Sequence, residues 1–281
     1  MRAAPDQRCS RYWRSLVFEL GECLADQAVN MYWQHFVDKG RPADRRRNLQ
    51  DLLRLTLASV EIVATRREAL DSVAEVNALP PTLTAYRHSV YETSVVYEFS
   101  QLARQDFEAH GNTPVWERPI AWQVPGGTYW RSGHIDMALF SRKREVETRI
   151  EFGKADPRPN SRPHPRDLKL EADARKLFEA SKEHRASKND PPSNSGDEAS
   201  IENFVVIWDE RDSRSRPSTA KLTAKRGQDW LGRCRDHATA ATGRVECNVV
   251  LEAVAASTLV SFDSSVHRSA FAAIYSVGLA D

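Results

Sequence analysis

The segment Phe204-Val205-Val206-Ile207-Trp208 constrains the fold most. Five consecutive apolar residues, three of them β-branched, sit between polar stretches. A strand with one wet face alternates apolar and polar residues, whereas a continuous run is the mark of a strand buried on both faces, usually within a parallel pair. A parallel pair needs a crossover, and the residues before the run supply one. Asp167 to His184 carries apolar positions at helical spacing, preceded by three predicted strands and one helix. These are a helix over Tyr91–Ala109 and strands over Val115–Val124, Tyr129–Phe140 and Val146–Phe152. The order α-β-β-β-α-β is that of an α/β domain, with an antiparallel meander and a crossover into a parallel strand.

The sequence predicts a helical N-terminal subdomain over residues 1–87, with one helix over Cys23–Val37 and a second carrying Leu49, Leu52, Leu53, Leu57, Val60 and Ala64 on one face. A further helix ends at Pro80-Pro81. Residues 88–281 form the α/β domain, with polar, flexible loops near 188–203 and 209–226. A helix near Gln228–Ala241, a strand near Val245–Val254 and a last helix near Ser264–Val277 close the chain.

Composition excludes several classes. With 41% hydrophobic residues the chain is no disordered polymer, and 40 Lys and Arg against 39 Asp and Glu leave a net charge of only +1. A general basic coat is therefore absent. The longest clean apolar stretch, Ala270–Tyr275, is far short of a membrane span. The four cysteines show no CxxC spacing, so a reducing, cytoplasmic setting is expected. No HExxH, GxSxG, Walker A or GxGxxG motif occurs.

The chemistry is carried by acids on strands. Asp136 lies in His134-Ile135-Asp136-Met137-Ala138 and Glu151 in Arg149-Ile150-Glu151-Phe152, although Asp is depleted in strands. With the hairpin turn at Lys143-Arg144, opposed residues sum to 287, which sets Asp136 directly across from Glu151. Their Cβ atoms would then be about 4.5–5.5 Å apart, a repulsive arrangement unless a cation sits between them. The plainer alternative pairs each acid with a nearby Arg, such as Arg131 or Arg149, or leaves it on a solvated sheet face. The apolar stripe of the preceding helix (Val95, Val96, Phe99, Leu102, Ala103) extends back to Glu92, which points it toward the core in preference to Glu98.

Helix with Glu92, strand with Trp116-Glu117-Arg118-Pro119-Ile120, strand with Ile135-Asp136, strand with Ile150-Glu151-Phe152, helix and buried strand together resemble the core of the PD-(D/E)XK nucleases, the restriction-endonuclease-like enzymes. The resemblance spans about residues 88–210. It implies Mg²⁺ (or Mn²⁺) held by Asp136 and Glu151, with Glu92 as the helix acid some members use, and hydrolysis of DNA phosphodiesters in restriction, defence or repair. The family places a lysine two residues after the strand acid. Here Gly153 holds that place and Lys154 follows, on the opposite strand face by simple alternation. Three solutions remain open. A bulge at Gly153 returns Lys154 to the acids. A lysine of the following helix replaces it, where Arg166, Lys169, Asp173 and Lys176 recur at helical spacing. Or the site is inactive and the chain is a nuclease-like module that binds nucleic acid or protein. Residues 142–188 carry 14 Lys and Arg against 9 Asp and Glu, a local surplus that suits a phosphate backbone, with Arg166, Lys169 and Lys176 as candidate contacts. The N-terminal helical segment is the candidate unit for target recognition or for a homodimer.

Overall fold

The computed structural model describes residues 32–37, 43–75, 92–109, 112–123, 130–141, 146–155, 167–186, 200–213, 219–259 and 267–278. The elements follow in the order β1 (Tyr32–Phe36), α1 (Ala43–Glu75), α2 (Glu92–Ala109), β2 (Thr113–Gln123), β3 (Trp130–Phe140), β4 (Val146–Lys154), α3 (Asp167–Ala186), β5 (Ser200–Ser213), α4 (Thr219–Thr242), β6 (Asn248–Leu259) and β7 (His267–Gly278). The fold class is mixed α/β. One seven-stranded sheet runs β1-β6-β7-β5-β4-β3-β2, in which only β4 and β5 are parallel.

Helices cover both faces. The stripe of α1 (Leu49, Leu52, Leu53, Val60, Ala64) and that of α2 (Val95, Phe99, Ala103) share one core with Ile150, Phe152, Val206 and Trp208. On the other face α3 (Leu170, Ala174, Leu177, Phe178) and α4 (Trp230, Leu231, Cys234) pack on Val205, Ile207, Phe271 and Tyr275. The run Phe204–Trp208 therefore alternates between two apolar cores, which is why it carries no polar residue. Its parallel register against β4 is unbroken from Val146↔Ser200 to Lys154↔Trp208. β1 and α1, which come from the first 87 residues, belong to this same sheet and core. No helix among the described residues is long and apolar enough to cross a membrane.

Four segments differ from the sequence reading. Ser200–Asn203, expected within the loop 188–203, begins β5 and pairs with Val146–Arg149, because the parallel ladder starts at the first residues of β4. Tyr32–Phe36, expected within a helix over Cys23–Val37, is a strand paired with β6 from Tyr32↔Ser257 to Phe36↔Ala253. Trp33 and Phe36 are drawn to opposite cores, and that burial overrides the helical spacing. The earlier part of that expected helix, and the helix ending at Pro80-Pro81, lie outside the described residues. His267–Gly278, expected as a helix, is β7 in the centre of the sheet. Ala270, Ala272 and Ile274 face one core and Phe271, Ala273 and Tyr275 the other, so burial on both faces erases the period of two. Of the expected loop 209–226, Asp209–Ser213 extends β5 and Thr219 onward begins α4.

Candidate active site

The β3–β4 hairpin has the expected register. Met137 pairs with Ile150 and Phe140 with Glu147, positions that sum to 287. The next pair would be Asp136 with Glu151, and there the ladder stops. Both strands continue, β3 along β2 and β4 along β5, so the sheet opens between them.

The opening frees main-chain N–H groups of β4, and carboxylates take them. Phe152 N–H donates to Asp136 Oδ2 at 2.8 Å, and Lys154 N–H donates to Glu92 Oε2 at 3.3 Å. Buried backbone donors are almost always satisfied, so an acid reaching into the gap is held there by the strand itself. Glu92 opens α2, with Val95, Val96 and Phe99 anchoring its helix in the core. Its other oxygen, Oε1, accepts from Lys169 Nζ of α3. Glu98 turns away and pairs with Arg66 of α1.

Lys176, two turns along α3 from Lys169, pairs with Glu151 Oε1 at 2.5 Å and donates to the His134 carbonyl at 3.0 Å. Between the lysines lies Asp173, 8% exposed, whose Oδ2 has no hydrogen-bond partner among the described residues. Four carboxylates (Glu92, Asp136, Glu151, Asp173) and two ammonium groups (Lys169, Lys176) thus share one end of the sheet, a formal surplus of two negative charges.

Burial dominates the electrostatics. It pushes the Glu151 carboxyl up from 4.5 to about 8; repulsion from Asp136 and Asp173 adds to this, and Lys176 offsets part of it. Asp173 rises from 3.8 to about 7, again first through burial, against the pull of Lys169 and Lys176. Asp136 is raised by burial and restrained by the Phe152 N–H and both lysines. Acids so destabilised as anions favour a cation or a proton among them.

The lysine problem has a geometric answer. β4 passes through Gly153 without a bulge, pairing Gly153↔Ile207 and Lys154↔Trp208. The Lys154 side chain therefore goes to the opposite face from Glu151, where Nζ lies 5.1 Å from the Trp208 ring centroid and 3.3 Å from Glu210 Oε1. The expectation that a bulge carries Lys154 to the acids fails because the parallel ladder holds the strand flat. A Cβ on Gly153 would stand 2.9 Å from Ile207 Cδ1 and 3.3 Å from Lys169 Cδ. Glycine here clears the path along which the Lys169 chain passes.

Of the residues expected at the site, the structure brings together Glu92, Asp136, Glu151, Lys169 and Lys176. It sends the Lys154 side chain elsewhere, and Arg166 lies outside the described residues. Arg149 pairs with Glu147 at 2.8 Å and not with the acids. Asp173 was legible only as part of a charged helix row. Its signal is its spacing, four residues after Lys169 and three before Lys176, which puts all three on one face.

Among the described residues no three His, Cys, Asp or Glu side chains are grouped as a metal site. The donor chemistry still suits Mg²⁺ or Mn²⁺, which are bound by one or two carboxylates with water and substrate oxygens. The opposed acids and the unsatisfied Asp173 oxygen supply hard ligands and uncompensated charge. No family model, curated protein or solved structure matches the chain.

Proposed function

We propose that this chain is a metal-dependent nuclease of the PD-(D/E)XK kind, with a restriction-endonuclease-like core, that hydrolyses DNA phosphodiesters. The observation that carries the reading is the opening of the β3–β4 ladder at Asp136 and Glu151, with Lys169 and Lys176 of the next helix set against the two acids. The order α2-β2-β3-β4-α3-β5 and the parallel pairing of β4 with β5 support it.

Asp136 and Glu151 would hold Mg²⁺ or Mn²⁺, which supplies polarisation of the phosphate and a more acidic bound water. The chain's own groups do the rest. Lys169 stands in for the strand lysine, orienting the attacking water and offsetting charge on the phosphate oxygens. Lys176 balances the Glu151 anion. Glu92 fixes Lys169 and ties α2 to the end of β4. Asp173 faces both ammonium groups and keeps their charge local. The basic surplus of residues 142–188 would track the substrate backbone.

A second reading, a nuclease-like module that binds without cleaving, is favoured by Gly153 at the family's lysine position and by the ion pairs that engage both helix lysines. Two experiments separate them. Mn²⁺ titration calorimetry on the wild type and Asp136→Asn should give binding that the substitution abolishes. Cleavage of supercoiled, linear and single-stranded DNA and of RNA, with Mg²⁺ or Mn²⁺, should be lost in Lys169→Met while Mn²⁺ still binds. Mn²⁺ binding without any cleavage would establish the second reading. No Mn²⁺ binding and no cut nucleic acid would reject the first.

A further inference from the structure

We propose that Glu117, in the middle of β2, is the positioning residue that delivers Asp136 to the acid cluster. Among the described non-glycine residues it is the one with a positive φ, 46°. An L-residue in that left-handed region is uncommon, and such strain persists where the surrounding structure holds it.

Its place in the ladder gives the strain a role. The β2–β3 pairs run from Thr113↔Phe140 to Gln123↔Trp130 in a constant register, including Trp116↔Met137 and Arg118↔Ile135. The one pair missing is Glu117 with Asp136. On the other side of β3 the ladder to β4 ends at Met137↔Ile150, again just short of Asp136. Asp136 is thus released by both neighbouring strands at once.

Burial shows the consequence. Ile135 and Met137 are two residues apart, so a regular strand would set them on one face. Instead Met137 packs in the core with α1 and α2, and Ile135 packs in the core with α3 and α4. β3 is turned at Asp136. The turn lets a strand acid reach sideways to the Phe152 N–H and face Lys169 and Lys176, where an ordinary strand residue would project straight off the sheet. The Glu117 side chain is exposed, so the role belongs to its backbone conformation. A left-handed residue turns its peptide groups out of the extended line and withdraws them from the partner strand, as at a bulge.

This role rests on the proposed site only in its metal readout; the placement of Asp136 is testable without metal. Three substitutions at Glu117 separate backbone from side chain. Glycine adopts positive φ without cost, glutamine keeps shape without charge, and valine resists positive φ. The metal-free readout is hydrogen exchange of the Phe152 amide, followed by NMR on the full chain, with folding checked by circular dichroism. The second readout is Mn²⁺ affinity by calorimetry. Glu117→Gly and Glu117→Gln should match the wild type in both. Glu117→Val should speed Phe152 exchange by about tenfold or more and weaken Mn²⁺ by about 10–100-fold, the usual effect of losing a group that orients a ligand. If the valine variant does not fold, Glu117→Thr, also β-branched, takes its place. A β-branched variant with wild-type Phe152 protection would overturn the proposal, as would loss of protection in the glycine variant. Failure of Mn²⁺ to bind the wild type would count against the proposed function, and Phe152 exchange would then judge Glu117 alone.

Discussion

Glu151→Gln should make the chain more stable at alkaline pH than the wild type, and the size of the effect follows from burial. Glu151 is 2% exposed and its carboxyl is pushed from 4.5 to about 8 by burial and by Asp136 and Asp173. Below its unfolded value the group is protonated in folded and unfolded chains alike, and the fold keeps its full stability. From there to about 8 the folded chain holds a proton that unfolding releases, so stability falls by about 1.4 kcal/mol per pH unit. Past that point the loss levels off at roughly 5 kcal/mol, a large part of the stability of a typical domain. Asp173, raised to about 7, adds a slope of the same sign. Glutamine keeps the shape and removes the titration. Against it stands the ion pair of Lys176, whose partly exposed ammonium would cost about 1 kcal/mol to leave unpaired. The assay is urea unfolding of both proteins from about pH 5 to pH 9, with metal chelated. The stability difference should move toward the variant as pH rises through that window, and Mn²⁺ should flatten the wild-type slope. A difference that stays constant with pH would refute the burial reasoning, because Glu151 would then titrate alike in folded and unfolded chains.

Other outcomes are fixed by the same geometry. Mn²⁺ affinity of the wild type should rise with pH up to about 8, the value of the Glu151 carboxyl, because binding must expel its proton; calorimetry in buffers of different ionisation enthalpy reads the released proton. Gly153→Ala should destabilise by about 1–3 kcal/mol and displace the Lys169 chain, since its Cβ meets Ile207 Cδ1 at 2.9 Å; thermal melts and Lys169 side-chain NMR check this. Burial disfavours the Glu147 anion, but Arg149 and Arg118 overcome it and hold the carboxyl below its usual range, so its contribution is present above pH 4.5 and lost as pH falls through the lowered value. Glu147→Gln should cost about 3–5 kcal/mol near neutral pH by stranding the buried Arg149, measured by urea unfolding. Phe152→Ala should cost about 3–5 kcal/mol, since its ring is fully buried and lies 4.7 Å from that of Phe99; unfolding at constant metal concentration tests it.

Local pattern made much of this molecule legible. Strong helical stripes in α1, α2 and α3 and the buried run of β5 each carry enough apolar side chains to set their own structure. The β3–β4 register could be read because opposed residues in a hairpin keep a constant sum, and the pairs Met137↔Ile150 to Phe140↔Glu147 follow it; that the ladder stops one pair short of Asp136 and Glu151 could not be read. Extending the α2 stripe by one turn reached Glu92, because a helix carries its face forward at a fixed angle. β7 was not legible: an alanine-rich segment buried on both faces has no alternation to read. β1 was not legible either, since five residues become a strand only when β6 offers its edge.

The cluster itself belongs to the tertiary structure. Which lysine meets the acids depends on how far α3 lies from β4, and the missing side chain at Gly153 sets that distance for Lys169. The gap at Asp136 depends on two ladders, one to β2 at Glu117 and one to β4, leaving the same residue unpaired. The carboxyl values of Glu151 and Asp173 depend on water being excluded by elements distant in sequence. Spacing along the chain determines which face a residue takes; burial, close approach and strain arise only when separate elements meet.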